Sequence, residues 1–127
     1  MYEFGCNAET WFHQKTADAL VEFKNTKDAF GGSLLDHTIT TFITDEADPS
    51  DVRQPLPALI VGGRALGMIG GQFVNPSPVL SHNAMWLSVA QAYFPDEDPM
   101  KVLADEAFMK GVSPATGPIE GLWQRPA

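Results

Sequence analysis

The sequence predicts an α/β fold: a small, mostly parallel or mixed sheet flanked by three helices. Two short runs, Thr38–Thr44 and Ala58–Val61, are apolar or rich in β-branched residues, which is typical of buried strands. One amphipathic segment precedes the first run and another follows the second. This order of helix, strand, loop, strand and helix predicts helices layered on a sheet, with ligands expected at strand ends.

Composition restricts the class of protein. At 127 residues, the chain is expected to be a single α/β domain or domain fragment. Its net charge of -8, from 16 acidic and 8 basic residues, disfavours nucleic-acid partners, whose phosphates need a basic surface. The start of the chain does not resemble a signal peptide, and no apolar run is long enough for a transmembrane segment. Because Cys6 is the only cysteine, an internal disulfide and a cysteine-based zinc site are excluded.

Three helices are predicted from apolar periodicity and terminal signals. Residues 1–8 are expected to form a lead-in, and the first helix should start near Asn7, a capping residue, and stop at Gly31-Gly32. The second helix should span His82–Tyr93. A third should begin at Asp98-Pro99, because an aspartate cap followed by proline favours a helix start. Residues 112–127 are expected to be a coil tail, with Trp123 as the side chain that could dock it.

The glycine-rich stretch Gly62–Gly71 suggests two interpretations. A phosphate-binding loop would need lysine and then serine or threonine after its last glycine, but Gln72 follows Gly71. A dinucleotide-binding turn would need a helix to begin here, and none is predicted. We therefore expect a tight turn between strands, leading into a short strand over Gln72–Val74.

An acidic loop follows the first predicted strand. Clustered carboxylate oxygens can hold a divalent cation, but the glycine and glutamate spacing of a calcium-binding EF-hand loop is absent. A solvated loop is the simplest interpretation, and a metal site completed by other residues is the alternative. The loop carries four carboxylates: Asp45, Glu46, Asp48 and Asp51.

The three histidines are scattered along the chain. His13 lies on the first helix and should face solvent or another subunit, while His37 precedes the first strand. His82 falls in the first turn of the second helix, from which an imidazole can reach strand ends. Its neighbour Ser81 is better explained as a helix cap than as the nucleophile of a catalytic triad.

Four blocks of sequence resemble one known family. They are Gly-Ser-Leu-Leu-Asp-His-Thr at 32–38, Leu-Pro-Ala-Leu-Ile-Val-Gly-Gly at 56–63, the stretch Ser81–Ala92, and Gly-Pro-Ile-Glu-Gly-Leu-Trp at 117–123. Together they resemble an uncharacterised bacterial family named after its His-x-x-Ser-His-His (HXXSHH) motif, which groups with alkaline-phosphatase-like and sulfatase-like proteins. The resemblance covers nearly the whole chain but only about the final third of a family member.

The resemblance implies the C-terminal portion of an alkaline-phosphatase-like domain, in a family that generally looks periplasmic or extracellular. Two departures matter: the naming motif, expected upstream of Trp11, is absent, and residues 51–55 lack the histidine that relatives carry there. Asp45 or Glu46 sits where superfamily members place a metal ligand, and His82 would lie near it. These three residues are therefore the candidates for a divalent-metal site, and no catalytic residue or cofactor-binding residue is assigned.

Two functions follow from these expectations. The first is a non-catalytic structural or accessory subunit that docks on a larger protein assembly, because two apolar strands need neighbours on their edges. The alternative is a fragment of a metal-dependent phosphate or sulfate ester hydrolase that lacks most of its active site, since such a centre needs several ligands and a nucleophile.

Overall fold

The computed structural model describes residues 2–43, 57–75, 82–102 and 117–126. Two short 3-10 helices accompany the regular elements of these ranges: the first spans Leu34–Asp36 and the second Arg64–Leu66. In chain order the helices and strands are α1 (Tyr2–Asn25), β1 (Ile39–Ile43), β2 (Ala58–Gly62), α2 (His82–Tyr93) and α3 (Pro99–Val102).

The expected parallel or mixed sheet is wrong. Within the described ranges, β1 and β2 form a two-stranded sheet and pair antiparallel, with Ile39 opposite Gly62 and Ile43 opposite Ala58. Parallel neighbours need a long crossover, usually a helix, whereas the connection from β1 to β2 carries three prolines and no helical pattern. The apolar character of the two strands was therefore a poor guide to their direction.

Helix α1 differs from its predicted limits at both ends. The expected lead-in is already helical from Tyr2, so Asn7 lies inside the helix and does not cap it. The helix ends at Asn25, well before Gly31-Gly32, because residues 26–33 fold back in a turn closed by the bridge between Lys27 and Ser33. Phe30 is consequently outside the helix and exposed.

The strands lie close to their predicted positions. β1 and β2 each fall within one residue of the predicted runs. Glycine is required at the end of β2, since Gly62 has a φ of 92° and a Cβ there would lie 2.2 Å from the Thr38 carbonyl oxygen. The short strand expected over Gln72–Val74 is not formed, because residues 72–75 have no regular structure.

Helix α2 has the predicted bounds and provides the core of the described residues. Ala84 and Leu87 are buried, and Met100 and Ile119 pack against them. Ser88 is fully buried, and its hydroxyl donates to the Ala84 carbonyl at 2.9 Å and accepts from the Ile119 amide at 2.8 Å. A buried hydroxyl with both roles satisfied ties the C-terminal segment to the helix.

The third helix begins where the sequence predicts. The Asp98 carboxylate accepts from the Met100 amide at 3.0 Å, and α3 starts at Pro99. The rest of the predicted helix, over residues 103–111, lies outside the described residues. In the described part of the chain, no helix combines the length and the apolar character that crossing a membrane requires.

Candidate functional site

Within the described ranges, a dense polar cluster lies in the turn that connects α1 to the first 3-10 helix. Asp28 Oδ1 accepts from the backbone amides of Phe30 at 2.8 Å and Gly32 at 3.0 Å. The Asp28 side chain is only 7% exposed, although aspartate side chains are mostly exposed in proteins. A side-chain oxygen that accepts amides two and four residues ahead fixes the turn and stops the chain from continuing as helix.

His37 completes this turn from the other side. Its Nδ1 contacts Asp28 Oδ2, and its side chain is 28% exposed. The Phe30 ring lies tilted against the imidazole, with 5.4 Å between ring centroids. The imidazole is therefore held on one nitrogen by a nearly buried carboxylate while part of the ring remains open to solvent.

The pKa of Asp28 lies below its ordinary value. Burial of the carboxylate raises this pKa, but the hydrogen bonds from the Phe30 and Gly32 amides and from His37 outweigh that effect. Asp28 is thus ionised at neutral pH and can only accept hydrogen bonds. It follows that the proton shared with His37 is carried on Nδ1 of the imidazole.

A second carboxylate organises the first 3-10 helix. Asp36 and Ser33 form a capping box: Asp36 Oδ2 accepts from the Ser33 amide at 3.1 Å and hydroxyl at 2.8 Å, while Ser33 Oγ accepts from the Asp36 amide. Arg64 Nε donates to Asp36 Oδ1 at 3.0 Å. The Ser33 side-chain and backbone hydrogen bonds, followed by Arg64, lower the pKa of Asp36 to about 2.

Gly32 brings the two carboxylate clusters together. A Cβ at this position would lie 3.1 Å from His37 Cε1 and 3.5 Å from Asp36 Oδ2. The imidazole and Asp36 Oδ2 thus both lie next to Gly32. The exposed Arg64 guanidinium contacts the other oxygen of this carboxylate, Oδ1. The connection between α1 and β1 thus carries an oriented imidazole close to Asp36, the carboxylate that pairs with Arg64.

The structure does not bring the predicted metal candidates together. Asp45 and Glu46 lie outside the described residues, as do Asp48 and Asp51. His82 is the first residue of α2, but its side chain is outside what the structure describes. Among the described residues, no group of three or more histidine, cysteine, aspartate or glutamate side chains could hold a metal ion. His13 is exposed on α1, and both expected surroundings, solvent and another subunit, agree with that exposure.

Sequence reasoning missed the roles of Asp28, Asp36 and Arg64. Two signals could have found the carboxylates. Aspartate ahead of a Gly-Gly pair favours a side-chain-closed turn, and serine followed three residues later by an acid is the pattern of a capping box. Nothing in the sequence pairs Asp36 with Arg64, which follows β2, because that contact depends on the antiparallel sheet.

Comparisons with known proteins assign no relative. No protein-family model, no curated protein and no solved structure matches this chain.

Proposed function

We propose that this chain is a non-catalytic structural or accessory subunit that docks on a larger protein assembly, and that its partner extends the sheet formed by β1 and β2. The observation that supports the proposal is that the two strands of this sheet lack the residues that usually protect strand edges. Its two strands contain no charged residue and no proline, whereas natural edge strands are commonly protected by charges, prolines or bulges. A sheet of two strands alone is marginally stable in water.

Among the described residues, the outer edge of β1 is covered at one end only. The Ile39 amide donates to the Tyr93 hydroxyl at 3.2 Å, so it points away from β2. Because amide directions alternate along a strand, the Thr41 and Ile43 amides also point to this outer edge, where no described residue pairs with them. Just after β2, the Gly63 amide donates to the Leu35 carbonyl at 3.0 Å, which ties this end of the sheet to the 3-10 helix that precedes β1.

The other end of the sheet exposes apolar side chains on both faces. Ile43 is 45% exposed and Leu59 is 55% exposed, and side chains next to one another along a strand point to opposite faces. Added strands would bury these side chains and supply the missing hydrogen bonds at the same time. This is the pattern of β-strand addition, in which backbone pairing gives affinity and side-chain pockets give specificity.

Helix α1 adds a second exposed apolar surface. Trp11 is 57% exposed and Phe12 is 65% exposed, and their rings contact each other edge to face. Exposed aromatic residues of this kind are enriched at protein interfaces. They support docking but do not identify the partner.

The resemblance to the HXXSHH family is part of this proposal. If it holds, the partner is a polypeptide that supplies the rest of an alkaline-phosphatase-like sheet. The hydrolase alternative gains no support from the described residues, because the metal candidates Asp45 and Glu46 lie outside them. We therefore propose docking as the function.

Site-specific photo-crosslinking in the natural source tests the proposal. A photo-reactive amino acid at Leu59 should join the chain to one larger polypeptide with a defined stoichiometry. The matched control carries the same photo-reactive group at Ala17, an exposed position on the face of α1 away from Trp11 and Phe12. The absence of any crosslink from position 59, or equal crosslinking from position 17, would contradict docking through the sheet.

A further inference from the structure

The two ring nitrogens of His37 differ in their contacts. Nδ1 is bonded to Asp28 Oδ2, and the hydrogen bonds among the described residues include none at Nε2. Since neutral imidazole carries a single N–H, a proton held on Nδ1 leaves the lone pair on Nε2. The nearly buried carboxylate therefore determines which nitrogen of a partly exposed ring is the nucleophile.

From this geometry we propose that His37 is a modification site whose Nε2 accepts a phosphoryl group from an acyl phosphate, with Asp28 as its positioning residue. The Nε2 lone pair forms the N–P bond while the P–O bond to the acyl group breaks, and the carboxylate leaves with the bonding electrons. The ring then carries a positive charge with its proton still on Nδ1. Asp28 neutralises that charge as it develops, which is the electrostatic role expected of a fixed carboxylate.

Phosphoryl transfer is favoured over other electrophiles by Arg64, the cation that pairs with Asp36, the residue next to His37 in the chain. The Arg64 guanidinium is exposed and holds Asp36 through Nε, and its terminal nitrogens form no hydrogen bond with a described residue, so they can contact phosphoryl oxygens. Asp36 and His37 both flank Gly32. Arginine is suited to such oxygens because its planar fork presents several donors.

Asp28→Asn is the most informative variant because it keeps most of the turn. The asparagine Oδ1 can still accept from the Phe30 and Gly32 amides, as Asp28 Oδ1 does. Its amide nitrogen, however, can only donate to His37 Nδ1, which moves the imidazole proton to Nε2. The variant therefore reverses the tautomer and removes the lone pair from Nε2 while leaving the backbone hydrogen bonds in place.

The test treats the purified full chain with acetyl phosphate and follows N–P bond formation by phosphorus NMR, with nitrogen NMR to read the His37 tautomer. We expect one acid-labile phosphoryl group per chain, on Nε2 of His37, and its loss in His37→Gln. Asp28→Asn should shift the imidazole proton to Nε2 and slow labelling by at least about tenfold, as is typical when the partner of a functional histidine is removed. His13→Gln, on the exposed face of α1, should label like the wild type.

Three results would overturn the proposal. The first is phosphoryl attachment at Nδ1 of His37, and the second is labelling of His13 or His82 at a rate equal to that of His37. The third is an Asp28→Asn variant that reverses the tautomer but labels as fast as the wild type. Because the tautomer is measured separately, an Asp28→Asn variant that merely unfolds the turn is recognised by the loss of both tautomer signals. In that case Arg64→Gln gives the second test. We expect this variant to be labelled more slowly, and an unchanged rate would contradict the role of the cation.

Discussion

The Trp123 indole Nε1 donates to the Leu66 carbonyl oxygen at 2.8 Å, and this contact joins the C-terminal segment to the loop that follows β2. Two backbone hydrogen bonds reinforce it: the Ile69 amide donates to the Leu122 carbonyl at 3.0 Å, and the Gln124 amide donates to the Gly67 carbonyl at 2.9 Å. The segment that the sequence predicts to be coil therefore acts as a strap across the second 3-10 helix.

Replacing Trp123 by phenylalanine should loosen this strap. Phenylalanine keeps an aromatic ring but leaves the Leu66 carbonyl without its donor. We expect the free energy of unfolding to fall by about 1–3 kcal/mol, measured by urea denaturation of the purified chain. Trp11→Phe is the matched control, since Trp11 is exposed on α1 and its replacement should change stability by less than about 0.5 kcal/mol. Equal effects of the two variants would contradict the role of the indole N–H.

Gly67 and Gly71 offer a matched pair of backbone tests. Both have positive φ, 89° and 75°, but an added Cβ at Gly67 would lie 2.1 Å from the Gln124 carbonyl oxygen, while Gly71 has open space around it. Gly71→Ala should cost about 1–2 kcal/mol from the left-handed conformation alone. Gly67→Ala should cost clearly more, because the strap must also move. Similar urea midpoints for the two variants would show that the strap does not press on this turn.

Ser88 tests the link between α2 and the C-terminal segment. Ser88→Ala removes the acceptor of the Ile119 amide without adding volume. We expect a loss of about 1–3 kcal/mol, the cost of leaving a buried donor unpaired, together with faster hydrogen exchange at the Ile119 amide. Unchanged exchange at that amide would mean that another acceptor replaces the serine.

Lowering the pH should reduce the stability of the fold because Asp36 becomes protonated. Its folded-state pKa of about 2 is below the ordinary value of 3.8, so its stabilising contribution is fully present above that ordinary value and is lost as the pH falls towards 2. Urea midpoints measured across this range should decrease more steeply for the wild type than for Asp36→Asn, which cannot titrate. Parallel profiles would indicate that Asp36 is not paired with Ser33 and Arg64 in solution.

A metal measurement separates the two functions considered for the chain. An accessory subunit needs no divalent ion, whereas the hydrolase alternative requires one held by Asp45 or Glu46. We expect metal analysis of the purified chain, with calorimetric titration of zinc and magnesium, to show no stoichiometric binding that depends on Asp45 or Glu46. Asp45→Asn and Glu46→Gln should therefore leave the titrations unchanged. Stoichiometric binding lost in either variant would favour the hydrolase fragment.

The sequence was a good guide where local chemistry sets the structure. The bounds of α2, the start of α3 at Asp98-Pro99, and the two strands follow from periodicity, capping and β-branched residues. The strand direction was wrong because apolar composition reports burial and not pairing. The end of α1 was wrong because the Asp28 turn, which depends on His37 nine residues later, outweighs the helical pattern up to Phe30.

The candidate site was largely hidden from the sequence for a related reason. His37 was recognised only as the residue that precedes β1, since its pairing with Asp28 depends on the chain folding back after α1. Arg64 reaches Asp36 only because β2 returns antiparallel to β1. Side-chain pairs made by tertiary structure leave no periodicity in the sequence, so pattern reasoning cannot find them.

Native mass spectrometry of the tagged chain, isolated gently from its natural source, tests the docking proposal most directly. The wild-type chain should appear in a complex of fixed stoichiometry well above its own 13.8 kDa. Leu59→Lys, which places a charge on the exposed end of the sheet, should abolish that complex, while Ala17→Lys on the face of α1 away from Trp11 should leave it intact. A chain that appears alone at its own mass, or a complex that survives Leu59→Lys unchanged, would contradict the account.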